Sequence, residues 1–174
     1  MKEKLVGVIS VPDGWIDVSD PSYDRTVWCR LNDIQVMAGL YDCWIVTVNK
    51  DSWGERVAEM RITRKYFDAS QDRTSIFDLC IGEIGIDSGQ ACFWNHKPDF
   101  TEEEYEQLSF GRSVQKHGFI ASSGFGDGSY YVYARKFKGE IYQLKIKFID
   151  VEEIENDFED DIMKYWKGTK NENL

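Results

Sequence analysis

Apolar residues fall along most of this chain with the two-residue period of β-strands, and the period lengthens only near the C-terminus. Leu5 to Val11 predicts a first strand, and Pro12-Asp13-Gly14 a turn after it. Trp15 to Val18 predicts a second short strand, stopped at Asp20-Pro21 because proline has no N–H to give to a ladder. Val27 to Val48 is rich in β-branched and aromatic residues, with breaks expected at Asn32-Asp33 and Ala38-Gly39. Within it, Tyr41 to Val48 is apolar at both parities, the pattern of a strand buried on both faces. Trp28 and Trp44 are expected in the core. Arg56 to Arg64 alternates cleanly: Ala58, Met60 and Ile62 point one way, and Glu59, Arg61 and Thr63 the other. Trp53-Gly54 marks the turn between these two strands.

Residues 66–75 are polar and read as a loop. Ile76 to Ile86 is apolar but interrupted by Gly82 and Gly85, which predicts bulges or a close backbone approach. Ala91 to Trp94 predicts another short strand. Thr101 followed by Glu102, Glu103 and Glu104 has the cap and acidic first turn of a helix ending near Gly111. Tyr130 to Phe137 and Glu140 to Ile149 predict an antiparallel hairpin about the two-residue turn Lys138-Gly139. In its second strand Tyr142, Leu144, Ile146 and Phe148 are expected inside, and Gln143, Lys145 and Lys147 in water. Past residue 150 the period changes: Ile154, Phe158, Ile162 and Trp166 share one helix face, with acids leading and Lys164 and Lys167 trailing, the order a helix dipole favours. Residues after Gly168 are expected to fray. The sum is a mainly β (α+β) fold. Residues 1–150 make one compact domain, an antiparallel β-sandwich or barrel-like sheet with one short helix, and 151–174 an acidic C-terminal helix and frayed tail.

Composition narrows the setting. With 42% hydrophobic and 14% aromatic residues, a chain of this length closes a core without a disulfide or metal staple. No apolar run approaches the ~20 residues of a membrane span. Met1 to Ser10 lacks the apolar stretch of a signal peptide, so a cytoplasmic protein is expected. The net charge is −10, and residues 150–174 alone hold nine acids against three lysines. Such a chain repels phosphate backbones and shows no basic stripe interleaved with aromatics, which argues against nucleic acid as a partner. Cys29, Cys43, Cys80 and Cys92 form no C-x-x-C pair, and His96 and His117 are the only histidines. A zinc site of motif spacing is therefore not expected, and the four thiols read as buried and free.

Five pieces stand in a definite order: Gly14-x-Ile16-x-Val18-x-Asp20-Pro21, then Ala38-Gly39-Leu40-Tyr41, Glu55-Arg56-Val57-Ala58, Gly85-Ile86-Asp87-Ser88-Gly89, and Gly124-Phe125-Gly126-Asp127-Gly128-Ser129-Tyr130-Tyr131-Val132-Tyr133. In that order they resemble an uncharacterised bacterial family, a domain of unknown function, over residues 14 to about 149. Tyr131 departs from the pattern, which has proline there, and the acidic segment past 150 lies outside it. The resemblance implies a compact β-rich domain of bacterial or phage origin and brings no activity with it.

The residues themselves must therefore suggest the chemistry. The glycine-rich stretch Ser122 to Tyr131 leads into a strand and holds no lysine, so it fails as a dinucleotide or P-loop cradle, both of which need a helix N-terminus. No H-R-D or D-F-G accompanies it, so it is no kinase loop. A tight bend before the hairpin is the plain reading. Asp20, Asp87 and Asp127 each accompany a glycine or proline in a loop. Each carboxylate can shape its own turn, or the three can share a cation or act as acid and base. Ser88, Ser122 and Ser123 lack a G-x-S-x-G elbow and a partnered histidine. The candidate ligand-binding set is Asp20, Asp87, Ser88, Gly126, Asp127, Gly128 and Tyr130, with Asp87 and Asp127 expected close together at one end of a sheet. Arg25, Arg112 and Lys116 are the cations available to neutralise them.

The run Asp150 to Asp161 reads as a solvated helix face, a surface for a basic partner, or an imitation of a nucleic-acid backbone. These features together lead to a non-enzymatic binding module that takes a protein partner or a small-molecule ligand and needs no cofactor. A bacterial or phage conflict protein, an immunity-type inhibitor or a small-molecule sponge, is its concrete form. The alternative is a metal-assisted hydrolase using Asp20, Asp87 and Asp127.

Overall fold

The computed structural model describes residues 1–68, 78–95, 113–115 and 118–150. The strands are β1 (Lys2–Val11), β2 (Trp15–Ser19), β3 (Leu31–Gln35), β4 (Gly39–Asn49), β5 (Glu55–Arg64), β6 (Leu79–Ile86), β7 (Gln90–Asn95), β8 (Ser113–Gln115), β9 (Gly118–Ser122), β10 (Gly128–Phe137) and β11 (Glu140–Lys147). One 3-10 turn, Asp51–Trp53, joins β4 to β5. Two antiparallel sheets pack together, one in the order β1-β4-β5-β11-β10-β6 and the other β3-β2-β7-β9-β8. This is the mainly β, sandwich-like architecture that the alternation predicts. The helices expected at 101–111 and past 150 lie outside the described residues, as do Arg112, Lys116 and both histidines.

The core is the space between the sheets. Cys43, Ile45, Met60, Ile62, Leu144, Ile146 and Val132 fill it from the first sheet, and Ile16, Val18, Phe93 and Phe119 from the second. The hairpin forms where its sequence places it. Lys138 and Gly139 both take positive φ (49° and 90°), and Phe137 pairs with Glu140 across them. That is the turn whose twist matches the two strands it joins. Leu144, Ile146 and Phe148 are buried beneath it.

Both glycines of β6 have a physical reason. The strand bulges beside Gly82, and a Cβ there would stand 2.8 Å from the Leu31 side chain. At Gly85 it would stand 2.9 Å from the Cys29 sulfur, while the Gly85 N–H donates to the Cys29 carbonyl at 2.9 Å. The chain at 29–31 thus covers the free edge of β6, which would otherwise invite another strand.

Several expectations need correction. Trp28 is not in the core; it is 91% exposed, because the chain does not become a strand until Leu31. Trp44 is only half-buried, on the outer face of its sheet, with the Arg61 guanidinium 6.0 Å from its ring. Strand β4 is accordingly not buried on both faces: Tyr41, Cys43 and Ile45 are inside and Asp42, Trp44 and Val46 partly covered, until a bulge after Val46 shifts the register. In β11, Gln143 and Lys145 are buried rather than wet. This strand lies between β5 and β10, and Lys145 is ion-paired with Asp78 and, at 3.8 Å, with Glu59. Tyr142 is buried as expected, although a bulge falls at it, and its ring lies 4.6 Å from that of Phe67. Finally, only Cys43 and Cys92 are buried; Cys29 is half-covered and Cys80 exposed, all four being free.

Leu144 sits at the centre of the six-stranded sheet with no exposed surface. Leu144→Ala should lower the unfolding free energy by about 3 kcal/mol, through lost transfer energy and the cavity left behind. Urea unfolding should show a lower midpoint at unchanged slope.

Candidate functional site

One end of the sandwich gathers the loop Pro21 to Arg30, the β6–β7 turn, the β9–β10 loop and the Asp51–Trp53 turn. Two buried aspartates organise it. Asp17, in β2, accepts from Arg25 Nη1 at 2.7 Å, Arg30 Nη2 at 3.3 Å and the Asp33 N–H at 2.8 Å. Arg30 is itself nearly buried and donates to the Tyr23 carbonyl at 2.7 Å. The buried charges are thus paired and their remaining donors used, the condition under which such a group is tolerated.

Asp20 is fully buried. One of its oxygens accepts from the N–H and the hydroxyl of Ser22, both at 2.7 Å. The other accepts from the N–H groups of Asp87 at 2.8 Å and Ser88 at 2.7 Å. Burial pushes this carboxyl up. The Ser22 hydroxyl and the N–H groups of Ser88, Ser22 and Asp87 more than reverse that, leaving it below its ordinary 3.8. Asp20 therefore shapes its own turn, as the plain reading has it, and also clamps a second turn far along the chain. Its oxygens are committed to protein donors and not free for a metal ion or a substrate proton.

The β9–β10 loop is closed by its own hydrogen bonds. Ser123 Oγ donates to the Gly126 carbonyl at 2.7 Å, and the Gly126 N–H returns to the Ser123 carbonyl at 3.0 Å. Tyr130 Oη donates to the same carbonyls at 2.8 Å and 3.1 Å, and the Ser123 N–H donates to Gly89 at 3.0 Å. Gly124 and Gly126 take φ of 62° and 114°, conformations that side chains resist. Phe125 stands between them, 54% exposed, with its ring 5.9 Å from that of Trp53 and nearly perpendicular to it. Trp53 is 65% exposed.

The register puts Gly128 opposite Ile86, so Asp127 and Asp87 flank that pair at the same end of the sheet, both exposed. Asp87 accepts from Tyr23 Oη at 2.6 Å, and this bond, together with burial, raises the Tyr23 hydroxyl well above its usual range. Asp127 has no hydrogen bond or ion pair among the described residues. Ser88 contributes its N–H to Asp20 and has its side chain in solvent. Gly126 and Tyr130 hold the loop shut, and Gly128 opens β10. The candidate set is thus one neighbourhood divided between an inner clamp (Asp20) and an outer rim (Asp87, Asp127). Arg25 serves Asp17 and Asp33 instead of the rim. Among the described residues no three His, Cys, Asp or Glu side chains group as metal ligands.

Sequence reading missed Asp17, Arg30, Tyr23 and the aromatic pair. Phe125 carried a signal, since an apolar ring between two glycines has no strand to bury it; Trp53 was legible only as part of a turn. Comparison with protein-family models, curated proteins and solved structures finds no match. The family resemblance therefore rests on the ordered motifs alone.

Asp20→Asn keeps the shape but sets an NH2 group against N–H donors. It should cost about 3 kcal/mol. A carboxyl whose folded pKa lies below its unfolded value stabilises fully above the unfolded value and loses that contribution as pH falls through the folded one. Chemical denaturation followed from pH 7 to pH 2 should show the wild-type loss setting in below about pH 4, and a shallower acid slope in the variant.

Proposed function

We propose that this protein is a non-enzymatic binding module that recognises a positively charged protein through its glycine-loop end. The observation that carries the reading is the exposed Trp53–Phe125 pair on a loop fixed by hydrogen bonds, beside the carboxylates of Asp87 and Asp127. Contact residues with most of the binding energy are typically large aromatics, and a loop already held in shape loses little entropy on docking. The flanking carboxylates favour a basic partner. The chain also leaves this end of the sandwich at Asp150 and continues into its most acidic segment. Clustered negative charge speeds encounter with a basic surface. An immunity-type inhibitor in a bacterial or phage conflict fits this description. The hydrolase alternative loses support because Asp20, the one buried carboxylate of its three, is occupied by four protein donors.

The full chain, with and without Phe125→Ala and Trp53→Ala together, is to be expressed in a bacterial host and whatever co-purifies identified by mass spectrometry. The reading expects a basic protein retained by the wild type and released by added salt. The double variant should bind it about 30- to 1,000-fold more weakly, the loss of about 2–4 kcal/mol typical of two aromatic anchors. Its melting temperature should be unchanged, because both rings are exposed. A partner held equally by both proteins, or only a small molecule, would overturn it.

A further inference from the structure

The opposite end of the sandwich holds a cleft of about 410 Å³, a volume within the range of small-molecule sites. It lies where β3 passes to β4, where β5 ends, and at the β10–β11 turn, and its walls include Met37, Arg64, Lys65, Tyr66, Phe67 and Glu140. We infer that this cleft binds a small organic anion, an aromatic ring carrying a phosphate or carboxylate, with Arg64 taking the anionic group. The site is separate from the loop end and does not depend on the function proposed there.

Charge is the first argument. In a chain of net charge −10, Arg25, Arg30, Arg61 and Arg135 each lie against a carboxylate. Arg64 does not pair with any described one, and Arg56, which also lacks one, stands at the other end of β5. Arg64 Nη1 donates to the carbonyls of Lys65 at 3.0 Å and Leu40 at 3.3 Å. Those bonds fix the guanidinium, while Nε and Nη2 donate to no described acceptor. A held, unpaired fork of this kind suits a carboxylate or phosphate. Lys65 beside it is only loosely paired, with Nζ 3.5 Å from Asp42.

Shape is the second. A side chain at Gly39 would overlap the Arg64 guanidinium, and Gly39 has a φ of 134°. The glycine therefore seats the arginine. Tyr41 Oη donates to the Met37 carbonyl at 2.6 Å and braces the wall behind. The Ala38-Gly39-Leu40-Tyr41 motif thus acquires a purpose that the loop end does not use.

The aromatic walls are the third. The Phe67 ring is wedged against Phe137 and Tyr142, at 5.1 Å and 4.6 Å. Tyr66 is 89% exposed at a φ of 60°, a conformation costly for a side-chain-bearing residue. Lys65 Nζ sits 5.3 Å from its ring. Strain of this sort persists where the surroundings impose it, and it collects at ligand clamps. A fixed ring inside, a free ring at the lip and the Arg64 guanidinium between them match a flat guest with one anionic group. Lys65 is shared with Asp42, and the Glu140 carboxylate on the wall repels that group toward Arg64.

Isothermal titration of the full chain should use adenosine monophosphate and benzoate as anionic rings, adenosine as the ring alone, and inorganic phosphate as the charge alone. Binding of at least one anionic ring is expected, with a Kd between about 10 μM and about 1 mM. Adenosine and inorganic phosphate should each bind at least about tenfold more weakly than the better anionic ring. Which ring binds decides between phosphate and carboxylate. Arg64→Gln should weaken binding about tenfold or more. Tyr66→Gly should also weaken it, and because glycine relieves the positive φ this variant should fold at least as well as the wild type. The inference is overturned if neither anionic ring binds at about 5 mM, if either control binds as well as the better ring, or if either variant binds as the wild type does.

Discussion

A single buried carboxylate sets the shape of the loop end. Asp20 accepts from two donors two residues away and from two backbone N–H groups almost seventy residues away. The latter belong to the turn through which the chain passes from the six-stranded sheet to the five-stranded one. A charge with no exposed surface is costly unless its lone pairs are used, and here two N–H groups of one tight turn supply half of the need. The turn cannot drift without stranding that charge. Its position in turn fixes Gly89, which accepts from Ser123, and so the loop bearing Phe125 is referred to the same point. Neighbouring Asp17 holds the other side of the Pro21–Arg30 loop through two arginines. From that loop, Cys29 and Leu31 reach over the glycines of β6.

The sandwich was legible because its core obeys a local rule. Where a strand has one dry face, alternation is visible to the eye, as in Ala58, Met60 and Ile62 or Leu144, Ile146 and Phe148. What was not legible depends on pairing at long range. Lys145 reads as a solvent residue by type. It is buried because Asp78 reaches it from another part of the chain, and no periodicity records that contact. Trp28 reads as core by type, yet the ion pairs among Asp17, Arg25 and Arg30 keep its stretch a loop until Leu31. The bulge at Tyr142 is a third case: one extra residue enters β11 there while Tyr142 stays buried, and nothing in the hydrophobic pattern announces it.

The candidate site divides along the same line. The glycines, Asp20, Asp87 and Asp127 stood out because glycine and aspartate in loops are chosen for backbone geometry, which is a local property. That Asp20 points inward while Asp87 and Asp127 point outward is not local, because it follows from which sheet each loop serves. The motif residues therefore lie at one end of the sheet, as their loop positions suggest, and the division of labour within that end is set by the fold. Structural and recognition roles are adjacent here for a physical reason: a loop that must present an aromatic ring to a partner needs a framework beneath it that does not yield.

The two ends of the sandwich face different electrostatic demands, and the fold keeps them apart. At the loop end no described cation is spent on Asp87 or Asp127, since Arg25 and Arg30 are drawn inward to Asp17. At the other end Arg64 is held by carbonyls and pairs with no described carboxylate. A chain of this composition has carboxylates to spare, so the absence of one against Arg64 among the described residues follows from where the backbone puts it. Carbonyl oxygens hold a guanidinium in place without cancelling its charge, whereas a carboxylate does both. The strands separate the two ends by several residues of extended chain, beyond the reach of screened surface charges on one another. Each end can therefore keep its own sign, the acidic rim facing basic surfaces and the cleft facing anions, without one neutralising the other.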